Sequence, residues 1–438
     1  MVITEKLNSS FSFDLASSTA TQQTALIIVP AGIVYTLYKH FALTQQHTIS
    51  AYGFHRRQLP FDYVDQNFRT PILKHLREFL LHYCVHGFLL QRLREIKLLI
   101  AGQPRLSDIS VDADFNMLFT FELITPPRLT ELKDWRFMLF RPPLRKNYKD
   151  LDKQAFNFME TEAANELDYK KTAPAVMAED WVCFDVNLVD LQHQPLLAHV
   201  ERFWLKISDE EDALPHRELL VGRKIGEQFY TAAQWLQDLF NKNIATHYLF
   251  EVTIIDIVPH SYFAIDTFQR HFRLKTKKKA HQKLIEVFSS KNDLSLHRNI
   301  VEELFTVCYK YHQVVAPGPA IAAQQQELLR TLVDSADYPV YRMQSGFEQQ
   351  LHELAEKQVR ETIMMDALAY YEELKLQHED VKSYLNLALR PRTKEFIHFK
   401  HPVIIANTQE WPTPDAELKQ LCLREKMLNY AIAYLSER

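Results

Sequence analysis

Apolar residues change their spacing twice along this chain, and no other feature of the sequence restricts its fold so strongly. From Phe61 to Ile100 they recur every three or four positions, at Phe68, Ile72, Leu76, Phe79, Leu80, Tyr83, Leu89, Leu93 and Ile96, which is the stripe a helix buries. From Trp181 to Val258 the spacing becomes that of strands. Phe250, Val252, Ile254 and Ile257 are apolar beside Glu251, Thr253 and Asp256, as in a half-buried strand. Beyond Pro259 helical spacing returns and holds to the end. The chain therefore reads as a multidomain α+β protein: an α+β unit over residues 1–130, a connector over 131–180, a small β-rich unit over 181–258 and a helical unit over 259–438.

Within the first unit, Ser10 to Ser17, Thr24 to Val29 and Asn116 to Ile124 read as strands, and Gly32 to Gln45 as a helix. The stretch from Phe61 to Ile100 is one long helix or two helices broken near Pro71, because proline cannot donate to the preceding turn. The connector carries a helix near Lys153 to Leu167 and separates two cores. In the β-rich unit the strands are Val182 to Leu188, Phe203 to Ile207 and Tyr248 to Val258. The last unit offers helices at Leu296 to His312, Ala320 to Val333, Phe347 to Leu376, Glu379 to Leu389 and Ala416 to Ser436.

Composition removes several function classes. Only 8 of the 438 residues are glycine, and neither G-x-G-x-x-G nor G-x-x-x-x-G-K-[ST] occurs, which disfavours enzymes that cradle phosphate in such loops. The formal charge is −4, from 51 basic and 55 acidic residues, so no global field draws the molecule to DNA. Between Met1 and Ile100, however, ten basic residues face six acidic ones. Cys84, Cys183, Cys308 and Cys422 form no C-x-x-C pair and read as buried free thiols of a reducing compartment. The most apolar early run, Ala25 to Tyr38, contains Pro30 and fits neither a membrane span nor a signal peptide, so a cytoplasmic location without membrane contact is expected.

Motifs for metal and nucleophilic chemistry are weak. His82 and His86 have the i, i+4 spacing of a metal pair, but Glu78 is the only carboxylate nearby and aromatic residues share the face, so ordinary helix histidines are the expected reading. His352 and Glu353 lead into Leu354-Ala355-Glu356 and not into H-E-x-x-H. G-x-S-x-G is absent too. No catalytic residue, metal or cofactor is expected from these patterns. Arg273, Lys275, Lys277, Lys278, Lys279 and Lys283 form a basic cluster that reads as a solvated helix start.

The loop Tyr52-Gly53-Phe54-His55-Arg56-Arg57-Gln58-Leu59-Pro60 sets an aromatic ring beside two guanidinium groups, a combination suited to structured RNA or an acidic protein patch. It resembles the G-F-R-x-G-K-x-P tip of the bacterial trigger factor family, the ribosome-associated chaperones. The family's Phe-Arg-Lys contact triplet falls on Phe54, His55 and Arg56. His55 departs from it, being only partly charged at neutral pH, and Arg57-Gln58 replaces a Gly-Lys pair. The resemblance continues in order along the chain. Val182-Cys183-Phe184-Asp185, Leu220-Val221-Gly222-Arg223-Lys224-Ile225-Gly226-Glu227 and Val252-Thr253-Ile254-Ile255-Asp256-Ile257 are similar to the family's FKBP-type domain. Val315-Ala316-Pro317-Gly318-Pro319-Ala320 and Leu354-Ala355-Glu356-Lys357-Gln358-Val359-Arg360 are similar to its C-terminal arm and long helix.

That resemblance implies a ribosome-binding first domain, an FKBP-like β-rich domain and an elongated all-helical chaperone domain. The implied contacts with the large ribosomal subunit near the tunnel exit are Gly53, Phe54, His55, Arg56 and Arg57. The implied isomerase-like hollow would draw on Phe184, Asp185, Phe203, Trp204 and Leu214. Val186, Pro195-Leu196 and Pro215-His216-Arg217-Glu218 depart from the residues expected there, so the domain is expected to keep its fold and to have largely lost prolyl isomerase activity. The implied function is ATP-independent shielding of nascent or unfolded polypeptides. The alternatives are an active prolyl isomerase whose flanking domains recruit substrate, and a ribosome-independent holdase.

Overall fold

The structure is a computed structural model that describes residues 11–17, 22–48, 54, 59–126, 134, 149–171, 175–209, 214–240, 248–289, 291–333, 338–401, 405–406 and 409–436. It is a mixed helix-and-sheet protein. Strands β1 (Ser12–Ser17), β2 (Gln22–Val29), β3 (Arg105–Val111) and β4 (Met117–Ile124) form an antiparallel sheet in the order β1-β2-β4-β3. Ala25, Ile27 and Val29 alternate with more exposed positions, and Met117, Phe119, Phe121 and Leu123 do the same opposite them. That period of two gives the sheet one buried face. Helices α1 (Ala31–Thr48) and α2 (Phe61–Leu80) follow, and the side-chain oxygen of Asn116 accepts the first helical N–H of α1, from Ala31, at 2.8 Å.

Helix α2 runs through Pro71 without a break. Asn67, whose carbonyl loses its donor at Pro71, is exposed along with the proline, so water can serve the carbonyl. The irregularity comes ten residues later, where Leu81–Val85 forms one π turn before α3 (His86–Glu95). Strand β3 was not evident in the sequence because Ser107, Asp108 and Ser110 give this edge strand little apolar contrast.

The second sheet is antiparallel, in the order β11-β6-β5-β8-β7. Its strands are β5 (Trp181–Val189), β6 (Pro195–Lys206), β7 (Gln228–Thr231), β8 (Leu249–Val258) and β11 (Thr413–Pro414). Between them lie α4 (Lys149–Lys171) before β5, α5 (Leu214–Leu220) and α6 (Gln234–Phe240). Strand β6 begins eight residues earlier than its apolar pattern predicts, because His199, Glu201 and Arg202 are paired polar residues within it. The edge strand β11 comes from the C-terminal unit and pairs Thr413 with Trp204.

Helices α7 (Ile265–His271), α8 (Lys277–Phe288), α9 (Lys291–Tyr311), α10 (Gly318–Val333), α11 (Tyr338–Arg342), α12 (Phe347–Tyr371), α13 (His378–Ala388) and α14 (Asp415–Ser436) make up most of the remainder. Two-residue strands β9 (Ile405–Ala406) and β10 (Gln409–Glu410) pair with each other.

Apolar packing does not follow the division read from the sequence. One cluster runs from Ala25 and Phe79 of the first unit into Phe184, Phe203 and Phe250 of the second. Phe41 and Tyr248 bring ring centroids within 5.0 Å, and Tyr83 and Phe240 within 5.1 Å. The connector helix α4 therefore does not separate two cores; its Ala155 joins Trp181, Cys183 and Trp204 on the opposite face of the second sheet. All four cysteines are free and buried, and burial pushes the Cys84 and Cys422 thiols well up. Among the described residues no helix is long and apolar enough to cross a membrane, and no group of three or more His, Cys, Asp or Glu could hold a metal.

Candidate functional site

Of the residues expected at the docking tip, Phe54 is described, and Gly53, His55, Arg56 and Arg57 lie outside the described residues. Phe54 is 40% exposed. Its ring stands 4.9 Å from that of Tyr63, near the start of α2, where buried Leu59 and the N-cap Pro60 fix the entry of the chain. A large aromatic side chain is thus left partly in water beside a well-anchored helix start, which is what a contact residue requires.

The five residues expected to line an isomerase-like hollow do not share one wall. Phe184 and Phe203 are cross-strand partners on one face of the second sheet, with ring centroids 6.0 Å apart. Trp204, next along β6, points to the other face, as successive strand residues must. Its indole N–H donates to Asp415 at 2.9 Å. Asp185 binds the Arg202 guanidinium through two hydrogen bonds of 2.6 and 2.8 Å, and these hold the Arg202 pKa above its ordinary value. Leu214 opens α5. The space beside Phe184 and Phe203 is taken by Trp235 and Phe240 of α6, and all four side chains are buried. Phe184 and Phe203 thus face Trp235 and Phe240, while a concave surface of about 420 Å³ is lined by Pro215, Leu219, Ala233 and Trp235.

A larger concave surface lies elsewhere, between the end of α3 with the segment 96–103 and the facing ends of α12 and α14. It encloses about 730 Å³, within the range of ligand clefts. Leu90, Leu98, Ile100, Tyr370, Leu374 and Leu423 give it apolar walls. Two helix C-termini meet there. Leu98 N–H reaches back to Leu93 O at 2.8 Å and Leu374 N–H to Ala369 O at 2.9 Å, the six-to-one bond of a Schellman end. The residues that turn the chain at these ends are Lys97 and Glu373, with φ of 53° and 49°. Glycine is the usual choice for that left-handed conformation, so this glycine-poor chain bears backbone strain at both rims of the cleft.

Part of the charge around the cleft is paired within the protein. Arg424 binds Asp366 through two bonds of 2.8 Å, and Gln420 donates to the same carboxylate at 2.7 Å. Arg94 donates to Ala416 O at 3.3 Å, and burial lowers its pKa. Burial, with Glu201 adding to it, raises the Glu417 carboxyl. Exposed Lys97, Glu373 and Lys375 also line the cleft, so a ligand meets charge at its rim beside the apolar walls.

A second exposed apolar surface ends the α10–α12 hairpin. Only Ile321 is buried along α10, and the buried positions of α12 begin at Leu351, so the far part of the hairpin stands clear of the core. Val333, Val340, Tyr341 and Met343 are exposed there, Met343 by 88%. The sequence reading placed these helices but missed the cleft and the arm end. Helical periodicity marks which face is apolar, and it carries no sign of whether another element covers that face.

No protein-family model matches the chain, and no curated protein matches its sequence. Among solved structures, one described as "Promiscuous Substrate Recognition in Folding and Assembly Activities of the Trigger Factor Chaperone" aligns with 97% of this chain and 100% of its own, at 12% identity and a TM-score of 0.36.

Proposed function

We propose that this protein is an ATP-independent chaperone of trigger-factor type, which docks on the large ribosomal subunit near the tunnel exit and shields nascent polypeptides in the cytoplasm. The observation that carries this reading is the arm end, where Val333, Val340, Tyr341 and Met343 leave apolar surface in water. Folded chains ordinarily cover such side chains, and methionine is the most adaptable of them for irregular partners. The cleft beneath Tyr370 and Leu374 offers a further apolar surface to the same client. Release follows when the client buries its own apolar segments, with no nucleotide step. Phe54, with Gly53, His55, Arg56 and Arg57, supplies the ribosome contact. Residues 181–258 act as an FKBP-like scaffold whose isomerase activity is largely lost, since Phe184 and Trp204 point to opposite faces of its sheet.

Aggregation of a chemically denatured enzyme, diluted into buffer without ATP, tests the chaperone reading. Suppression at equimolar protein is expected, and Val340→Ser with Met343→Ser should weaken it several-fold; no suppression by the unaltered protein would overturn it. Cosedimentation with ribosomes tests the tip. Binding that survives conversion of Phe54, His55 and Arg56 to Ala would rule the tip out. Turnover of a prolyl peptide at the level of an ordinary FKBP-type enzyme would refute the loss of isomerase activity.

A further inference from the structure

A basic surface lies where α7 turns into α8. Arg270, Arg273, Lys275, Lys277, Lys278 and Lys279 are all exposed. Lys275 and Lys279 are engaged within the protein and Arg270 donates to Gln377, which leaves Lys277 and Lys278 for a ligand. Asp152 of α4 stands one turn further on, beside His281. Lys277, Lys278 and Lys279 form the first turn of α8, which contains no carboxylate, and Thr276 Oγ1 accepts from Lys279 N–H at 3.2 Å. Cations at this end oppose the helix macrodipole, which favours negative charge there. Thr276 caps one N–H of this start, and an anion at Lys277 and Lys278 would be favoured by the dipole as well as by their charge.

Planar groups stand beside the lysines. Arg273, held at φ 53°, places its guanidinium carbon 4.3 Å from the centroid of the Tyr430 ring. Tyr430 stacks in turn on Tyr434, at 6.0 Å and 15°. Glu372 faces the Tyr430 hydroxyl, on the ring's edge and away from its stacking face. The result is a ladder in which an exposed guanidinium plane is backed by two half-buried phenol rings, next to a helix start that carries exposed Lys277 and Lys278. We propose that this surface binds a single-stranded polynucleotide, with phosphates at Lys277, Lys278 and the α8 N–H groups and a base on the Arg273–Tyr430–Tyr434 ladder. Basic side chains that track phosphate and flat side chains that accept bases are the two components of single-strand recognition. An acidic polypeptide would satisfy the lysines and leave the ladder unused. The surface goes beyond the proposed chaperone function and lies apart from the Phe54 tip.

Fluorescence anisotropy of a labelled 12-nucleotide oligoadenylate with the full chain, over a series of salt concentrations, tests the proposal. Lys277→Gln together with Lys278→Gln should weaken binding at least tenfold and reduce the log–log salt slope by about 1.4, from roughly 0.7 per lost contact on single strands. Arg273→Lys, which keeps the charge and removes the plane, should weaken binding several-fold with the slope unchanged. The lysine variant should melt no lower than the unaltered protein, since cations leave a helix N-terminus. A ribose strand that binds more tightly than its deoxyribose counterpart assigns the site to RNA, and the reverse or equality to DNA. Undiminished binding by the lysine variant, or polyglutamate of equal charge competing as well as the oligonucleotide, would overturn the proposal. The Phe54, His55 and Arg56 alanine variant should keep its oligonucleotide affinity, so failure of the tip and failure of this surface are separate results.

Discussion

The indole N–H of Trp204 donates to the Asp415 carboxylate at 2.9 Å across 211 residues of sequence, joining the middle of the second sheet to the first residue of the last helix. Trp204 is fully buried, and Asp415 also receives Lys419. Two residues earlier, Thr413 pairs with Trp204 as the sheet's edge strand. The C-terminal segment is thus fastened by a ladder and by a charge-assisted hydrogen bond at the same point.

Replacing Trp204 with Phe should therefore destabilise the whole protein. The change removes the donor from a buried carboxylate and leaves space where the indole packed, at a cost of about 2–4 kcal/mol. Urea unfolding followed by circular dichroism would report a lower midpoint; a loss under ~0.5 kcal/mol would show that the bond contributes nothing.

Tyr83 supports a second prediction. Its hydroxyl accepts from Leu188 N–H at 2.9 Å and donates to His199 O at 3.0 Å, so one side chain of the π turn satisfies two backbone groups of the second sheet. Tyr83→Phe leaves both without that partner in a site closed to water, and should cost about 1–3 kcal/mol while barely changing volume. If denaturant unfolding shows no loss, the π turn does not tie the two units together.

Such ties explain what the sequence could and could not convey. Helices α12, α13 and α14 were legible because each buries a stripe, as Ile363, Met364 and Leu368 do in α12, whereas α11, which buries nothing, was not. Nor was the first part of β6, because Arg202 and Glu201 are paired with Asp185 and His199, partners that periodicity does not reveal. Phe203 and Trp204 read as candidates for one hollow because both are aromatic; strand geometry sends them to opposite faces. The apolar positions of the cleft looked like helix core, and only the packing of α3 near the ends of α12 and α14 shows that Tyr370 and Leu423 meet an opening.

Two buried histidines predict how stability depends on pH. Burial lowers His75 to about 4, with Glu78 opposing, and lowers His216 to about 4. His75 hydrogen-bonds Tyr248, and the His216 ring meets Trp235 edge-on at 4.6 Å. An unfolded histidine titrates near 6.5, so between 6.5 and 4 the unfolded state binds more protons and stability rises with pH. Stability should be level above pH 7 and fall as pH drops through 6.5, by roughly 3 kcal/mol per histidine once pH 4 is reached. Burial lowers His401 to about 4 as well. Denaturation at pH 7.5, 6 and 5 should therefore show a slope that His216→Phe flattens by no more than about a third; an unchanged slope would show that His216 does not contribute.

The cleft separates binding from stability. Tyr370 is 40% exposed on its wall, so Tyr370→Ser removes apolar contact surface and should leave the fold within ~0.5 kcal/mol of the original. Asp366 is buried, and its carboxylate holds both Arg424 and Gln420. Asp366→Asn leaves a guanidinium without its charge partner and should cost about 3–5 kcal/mol. Both variants should be measured for capture of a denatured client and for urea unfolding. Tyr370→Ser should lower capture at least threefold with an unchanged midpoint, whereas Asp366→Asn should lower the midpoint. If Tyr370→Ser leaves capture intact, client contact must lie at Val340 and Met343 alone, and the cleft is only the seam where the first and last units meet.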